Sequence, residues 1–177
     1  MRLDPAGSLL AIIDVQEKLL AAMPDAQRVV ARCRRLADAA RLLGVRAVLT
    51  EQYPQGLGPT PAELAAVLPP PAAKLAFSCS GCGDFDAALA AGVTAVVLAG
   101  LETHVCVAQT AFDLLADGVG VFIVVDAVAS RHTIDHDTAL RRLEGAGAIL
   151  TTSEAVLFEW CRTAEHPQFQ AIRRLVR

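Results

Sequence analysis

A three-layer α/β fold around a six-stranded parallel sheet, Rossmann-like in its alternation, is predicted by three features of this sequence. Six short apolar runs rich in Val, Ile and Leu recur along the chain. Each is followed by a stretch with helical periodicity, and glycines fall where those helices should stop. Continuous apolar strands with intervening helices indicate a sheet covered on both faces. In order, the strands are LLAIID (9–14), RAVLTE (46–51), KLAFS (74–78), TAVVLA (94–99), VFIVVD (121–126) and AILTT (148–152). Helices are expected near 25–43, 61–67, 84–91, 104–117, 135–146 and 153–161, with a tail helix near 167–176. Gly44, Gly92, Gly118 and Gly147 stand at helix ends, where a left-handed residue closes the last turn. The proline-rich QYPQGLGPTP and LPPPAAK break this rhythm and are expected to form a stiffened lid.

At 177 residues the chain is long enough for one sizeable core, and a single domain over 1–177 is expected. The net charge of −3 advertises no broad basic face, so no nucleic-acid partner is expected. The longest nearly apolar run, AALAAGVTAVVLAGL, is interrupted by Gly92 and Gly100 and is too short to span a bilayer. With an aspartate at position 4 before any signal-peptide core, the chain reads as cytoplasmic. The hydrophobic fraction of 54% fits a doubly covered sheet or a subunit interface. Cys33, Cys79, Cys82, Cys106 and Cys161 make an odd set without framework spacing, which argues against a disulfide scaffold. Only Lys18 and Lys74 among the 16 basic residues are lysine, so a retained lysine draws notice.

Ligands of open α/β sheets bind beyond the carboxyl ends of the strands, where strand order reverses. That rule selects Asp14, Glu51 and Tyr53, the GLETHVC loop, and Asp126 to Arg131. Lys74 opens its predicted strand, so the preceding loop would have to carry it there. Cys106 falls in the first turn of a predicted helix, where free amides favour a thiolate, although a buried cysteine is also an ordinary core filler. Asp14 at a strand end suits a proton acceptor or metal ligand as well as a helix cap. Lys74 suits a local cation or a surface residue. His104 lies two residues from Cys106, a spacing that does not face it on a helix. His132 and His136 have i, i+4 spacing but no HExxH glutamate and no evident third ligand. Cys79-x-x-Cys82 has redox-dithiol spacing, which supplies a rival reading as a thiol redox protein.

Taken together, IIDVQ with Asp14, KLAFSCSG with Lys74, GLETHVCVAQTAFDLLADG with Cys106, VVDAVASR and RLEGAGAILTTSEA resemble the isochorismatase-like cysteine hydrolase superfamily. TEQYPQGLGPT and the segment after TTSEAVLFEW are most similar to its isochorismatase-domain-containing branch. The resemblance implies the isochorismatase-like hydrolase fold, an Asp14–Lys74–Cys106 triad, and a non-proline cis peptide at Leu101–Glu102. It implies an oxyanion hole from the backbone N–H groups of Glu102 and Cys106. Gln16, Tyr53, Phe77, Cys79, His104 and Arg131 are expected to line the pocket of a small-molecule substrate, and a homo-oligomer is expected. Nicotinamidases of the superfamily carry an Asp-x-His metal pair after the second strand. This chain has Glu51-Gln52-Tyr53 there, so neither metal nor other cofactor is expected. Isochorismatases proper generally lack the nucleophilic cysteine, so Cys106 favours hydrolysis of a small amide or ureido C–N bond through a thioester. The alternatives are a catalytically weak scaffold and the Cys79/Cys82 redox protein.

Overall fold

The computed structural model describes the whole chain, Met1–Arg177. Its sheet has six parallel strands in the order β3-β2-β1-β4-β5-β6. The strands are β1 (Ser8–Ile13), β2 (Arg46–Gln52), β3 (Ala72–Lys74), β4 (Ala95–Leu101), β5 (Gly120–Ala129) and β6 (Ile149–Thr151). Parallel neighbours need crossovers, and these are supplied chiefly by α2 (Ala26–Leu43), α5 (Gly83–Leu89), α6 (Ala108–Ala116) and α7 (Thr133–Gly145). After β6 the chain runs into α8 (Ser153–Cys161) and α9 (Phe169–Leu175).

Alternation along the central strands makes the three layers. Leu10 and Ile12 of β1, with Val97 and Ala99 of β4, join a core shared with α2, α8 and α9. Leu9, Ala11 and Ile13, with Val96 and Leu98, face a second core under α5, α6 and α7. Because both faces are covered, the strands have no solvent-facing stripe, which is why they read as unbroken apolar runs. Trp160 is fully buried in the first core, and its Nε1 donates to Ser8 Oγ at 3.1 Å, so the indole N–H does not go unpaired.

Three details depart from expectation and each bears on the crevice. The third strand ends, rather than begins, at Lys74, so Lys74 joins Asp14 at the carboxyl edge of the sheet. The fifth strand continues past Asp126 to Ala129 through a register shift opposite Leu98 and Gly100. That irregularity turns Asp126 to the α2/α8 side, where its carboxylate accepts from Ser153 N (2.7 Å) and Oγ (2.6 Å) and pairs with Arg32. Asp126 therefore belongs to a helix start, not to the crevice. Finally, the 53–65 segment contains two short helices, α3 (Pro54–Leu57) and α4 (Ala62–Ala65), with α1 (Glu17–Leu20) before it. The expected lid is tied down: Lys18 Nζ donates to Gly56 O, and Glu17 N to Pro59 O.

Candidate active site

The strand order reverses between β1 and β4, and the residues that follow these two strands define the crevice. Asp14 leaves β1 with φ of +51°, a left-handed conformation unusual outside glycine but tolerated by Asp. Its N–H donates to Thr50 O of neighbouring β2 at 3.1 Å. The side chain is fully buried, so its ionised form demands donors. Two are supplied from β2 and β3. Thr50 Oγ1 donates to Oδ1 at 2.8 Å, and Lys74 Nζ donates to Oδ2 at 2.7 Å.

Lys74 is itself buried, and its partners define its charge state. Besides Asp14, its Nζ donates to Gln52 Oε1 (2.8 Å) and Phe77 O (2.9 Å), with Ala76 O at 3.3 Å. All of these are acceptors, so the three protons of an ammonium satisfy the arrangement and a neutral amine would face an oxygen with its lone pair. Gln52 in turn donates through Nε2 to Leu75 O at 2.7 Å, which fixes the chain just past β3.

Opposite them, the β4 exit carries a cis peptide at Leu101–Glu102 and then a π-helical turn, Thr103–Val107, before α6. Glu102 O accepts from both Val105 N and Val107 N, which anchors the turn. Cys106 lies within it rather than in an ordinary first helical turn, and retains 5% of its exposure. Its thiol is close enough to Asp14 for the carboxylate charge to act on it. The helix start was expected to favour a thiolate, but the thiol is pushed strongly upward, first by burial and then by the Asp14 charge, with Lys74 opposing. The resting sulfur is therefore protonated, with a carboxylate nearby.

The other predicted residues separate into neighbours and supports. Glu102 is buried, and its Oε1 accepts from Arg131 N (3.1 Å) and Nε (3.0 Å), so its carboxylate faces a cation rather than the thiol. Arg131 remains half exposed. His104 turns away from Cys106: its Nδ1 pairs with Ser130 Oγ at 2.9 Å. Gln16 was expected in the pocket, but both ends of its amide are committed to backbone, Oε1 to Gln52 N and Nε2 to Gln52 O and Gly58 O. Its role is to hold the loop after β2. Tyr53 and Phe77 are exposed, and Tyr53, Pro54, Gln55, Ala73, Lys74 and Leu75 line an open cavity of about 330 Å³. His136 pairs through Nδ1 with Thr103 Oγ1 and supports the π-helical turn from α7.

Cys79 is fully buried, 3.9 Å from Thr50 Oγ1, and burial pushes its thiol up to about 11. Cys82 N donates to Cys79 O in a tight turn, and all five cysteines are free. Glu51, at the position of the superfamily's metal pair, uses Oε1 to accept from Thr60 N at 2.7 Å. No three His, Cys, Asp or Glu side chains are grouped as metal ligands, so this donor set does not fit that metal. Thr50 and Gln52 were missed in the sequence. Their signal was their i, i+2 placement at the end of β2, which puts both side chains on one face.

Comparison with known proteins agrees with this architecture. The family model described as the isochorismatase domain matches residues 8–155. Isochorismatase domain-containing protein 2 of Bos taurus is 43% identical over 176 residues, covering 99% of this chain and 86% of that protein. Among solved structures, a protein described as the MAR1 ribonuclease of Caenorhabditis elegans superposes with a TM-score of 0.94 at 40% identity, covering 99% and 92% of the two chains. The YcaC gene product of Escherichia coli, described as an octameric hydrolase of unknown specificity, gives 0.86 at 28% identity, covering 99% and 95%. With its matched domain spanning β1 to the start of α8, the chain belongs to the isochorismatase family, within the isochorismatase-like hydrolases.

Proposed function

We propose that this chain is a metal-independent cysteine hydrolase that cleaves a small amide or ureido C–N bond through a thioester on Cys106. The observation that carries this reading is one buried carboxylate between an ammonium and a thiol: Lys74 Nζ lies 2.7 Å from Asp14 Oδ2, and the Asp14 charge acts on Cys106. Asp14 accepts the Cys106 proton as the sulfur attacks the carbonyl carbon, and the carbonyl electron pair moves to oxygen. The Glu102 and Cys106 backbone N–H groups receive that oxyanion; losing one such donor typically costs about 3 kcal/mol of barrier. Collapse of the intermediate expels the nitrogen, which takes the proton from Asp14. Water then attacks the thioester, Asp14 removes its proton, and the thiol is restored. Lys74, donating at 2.7 Å, fixes Asp14 for these transfers.

The experiment is ammonia release over a panel of small amides and ureides, with intact-protein mass spectrometry for the acyl adduct. Cys106→Ala is expected to abolish both signals, and an undiminished adduct in that variant removes Cys106 from the nucleophile's role. Cys79→Ser is expected to keep the adduct; its loss there, with Cys106→Ser still labelled, would favour the redox reading. The ribonuclease description of the nematode relative supplies a second substrate class, supported by the 40% identity. Against it stand the net charge of −3 and a site whose two cations are committed, Lys74 to Asp14 and Arg131 to Glu102. RNA cleavage that Cys106→Ala leaves intact would place such an activity outside this site.

A further inference from the structure

The hydrogen-bond inventory around Asp14 contains a residue that the thioester mechanism does not use. Thr50 grips Asp14 twice, by accepting Asp14 N–H at its backbone oxygen (3.1 Å) and by donating its hydroxyl to Oδ1 (2.8 Å). An ionised carboxylate is acceptor-only, so the single hydroxyl proton is directed at Asp14. The 3.9 Å contact between Thr50 Oγ1 and Cys79 Sγ is then a long one in which the thiol is the donor. The resulting order is Cys79 S–H to Thr50 O–H to Asp14 carboxylate. It gives the buried Cys79 thiol an occupation as a neutral donor. Cys79 is held in this place from its other side, where its N–H donates to Thr110 Oγ1 (3.0 Å) and Thr110 donates to Cys106 O (2.7 Å). One threonine thus joins the backbones of the two cysteines, while the other joins Cys79 to the base.

We infer that Thr50, backed by the Cys79 thiol, is a positioning residue that sets the proton affinity of Asp14 toward Cys106. A donor on the charged form stabilises the carboxylate over the acid. Without the hydroxyl, Asp14 in the coupled Asp14–Cys106 pair holds its proton to higher pH, and the singly ionised pair that can react appears later. Valine at position 50 fills nearly the same volume in a β-strand, so the loss is confined to the donor. This inference rests on the thiol-nucleophile reading, and the test separates the two.

The probe is iodoacetamide, with the rate of alkylation at Cys106 followed across pH by peptide mapping in the wild type, Thr50→Val and Thr50→Ser. Thermal melts establish that each variant is folded. The expected result is an acid limb displaced upward by about one pH unit in Thr50→Val, with Thr50→Ser returning it to the wild-type position. A limb unmoved in folded Thr50→Val, or moved equally in Thr50→Ser, overturns the assignment to Thr50. Absence of any alkylation at Cys106 in the wild type overturns the nucleophile reading itself. If Thr50→Val does not fold, Thr50→Ser with Cys79→Ala still decides: removing the backing thiol must move the limb in the same direction, and an unmoved limb counts against the relay.

Discussion

Charge at the Asp14–Lys74 pair is the residue-scale fact on which the site depends. Both side chains are almost wholly out of solvent, with exposures of 0% and 4%. Removing water from two ions is costly, and the cost is offset only when the remaining lone pairs and protons find partners. Here they do: Thr50 serves Asp14, while Gln52 and Phe77 O serve Lys74. Breaking such a pair from one side leaves an uncompensated charge. Lys74→Met should therefore destabilise the fold by about 3–5 kcal/mol in denaturant titration, whereas Asp14→Asn/Lys74→Met should recover part of that loss. Equal destabilisation by the single and double variants would mean that Lys74 acts through packing of its stem.

At the scale of elements, the crevice depends on how closely β1 and β4 approach at their carboxyl ends. Gly100 pairs with Ile13 in the β1–β4 ladder and has φ of +119°. A Cβ built there meets the Ile13 carbonyl oxygen, a backbone atom that cannot step aside without moving the residue before Asp14. Gly44 provides the control. It closes α2 at φ of +70°, but a Cβ there meets nothing. Gly44→Ala should cost about 1–2 kcal/mol for its left-handed conformation. Gly100→Ala should cost more, and should also lower Cys106 alkylation, because it displaces β1 against β4. Similar melting temperatures for the two variants would show that the strand spacing is more yielding than the collision implies.

Across the whole molecule, an exposed apolar group borders the crevice. Tyr53 and Phe77 are each 52% exposed and Leu75 is 76% exposed, all from the loops after β2 and β3, at one edge of the sheet. Such clustering is more typical of a contact surface than of scattered exposed side chains. The E. coli relative is described as an octamer. Light scattering on the eluting protein should give a multiple of the 18.6 kDa chain, and a monomer at micromolar concentration would refute the expectation. No helix is long and apolar enough to cross a membrane.

Local pattern determined five of the six strands, the order of the large helices, and the places of Asp14 and Cys106, whereas it set Lys74 at the wrong end of its strand. Doubly covered strands must be apolar along their whole length, and residues at strand ends must lie at the sheet's rim. Where AAKLAFS stops being a strand was not legible, because edge pairing ends the third strand at Lys74 whatever the apolar run beyond it suggests. The bulge that removes Asp126 from the crevice and the commitment of Gln16 to backbone were likewise set by partners distant in the chain. So was the protonated state of Cys106: a helix start favours the thiolate, but burial and the neighbouring carboxylate outweigh it. Periodicity is a property of a segment and can be read from it. Burial, charge pairing and hydrogen-bond supply depend on which segments meet, and only the folded chain decides them.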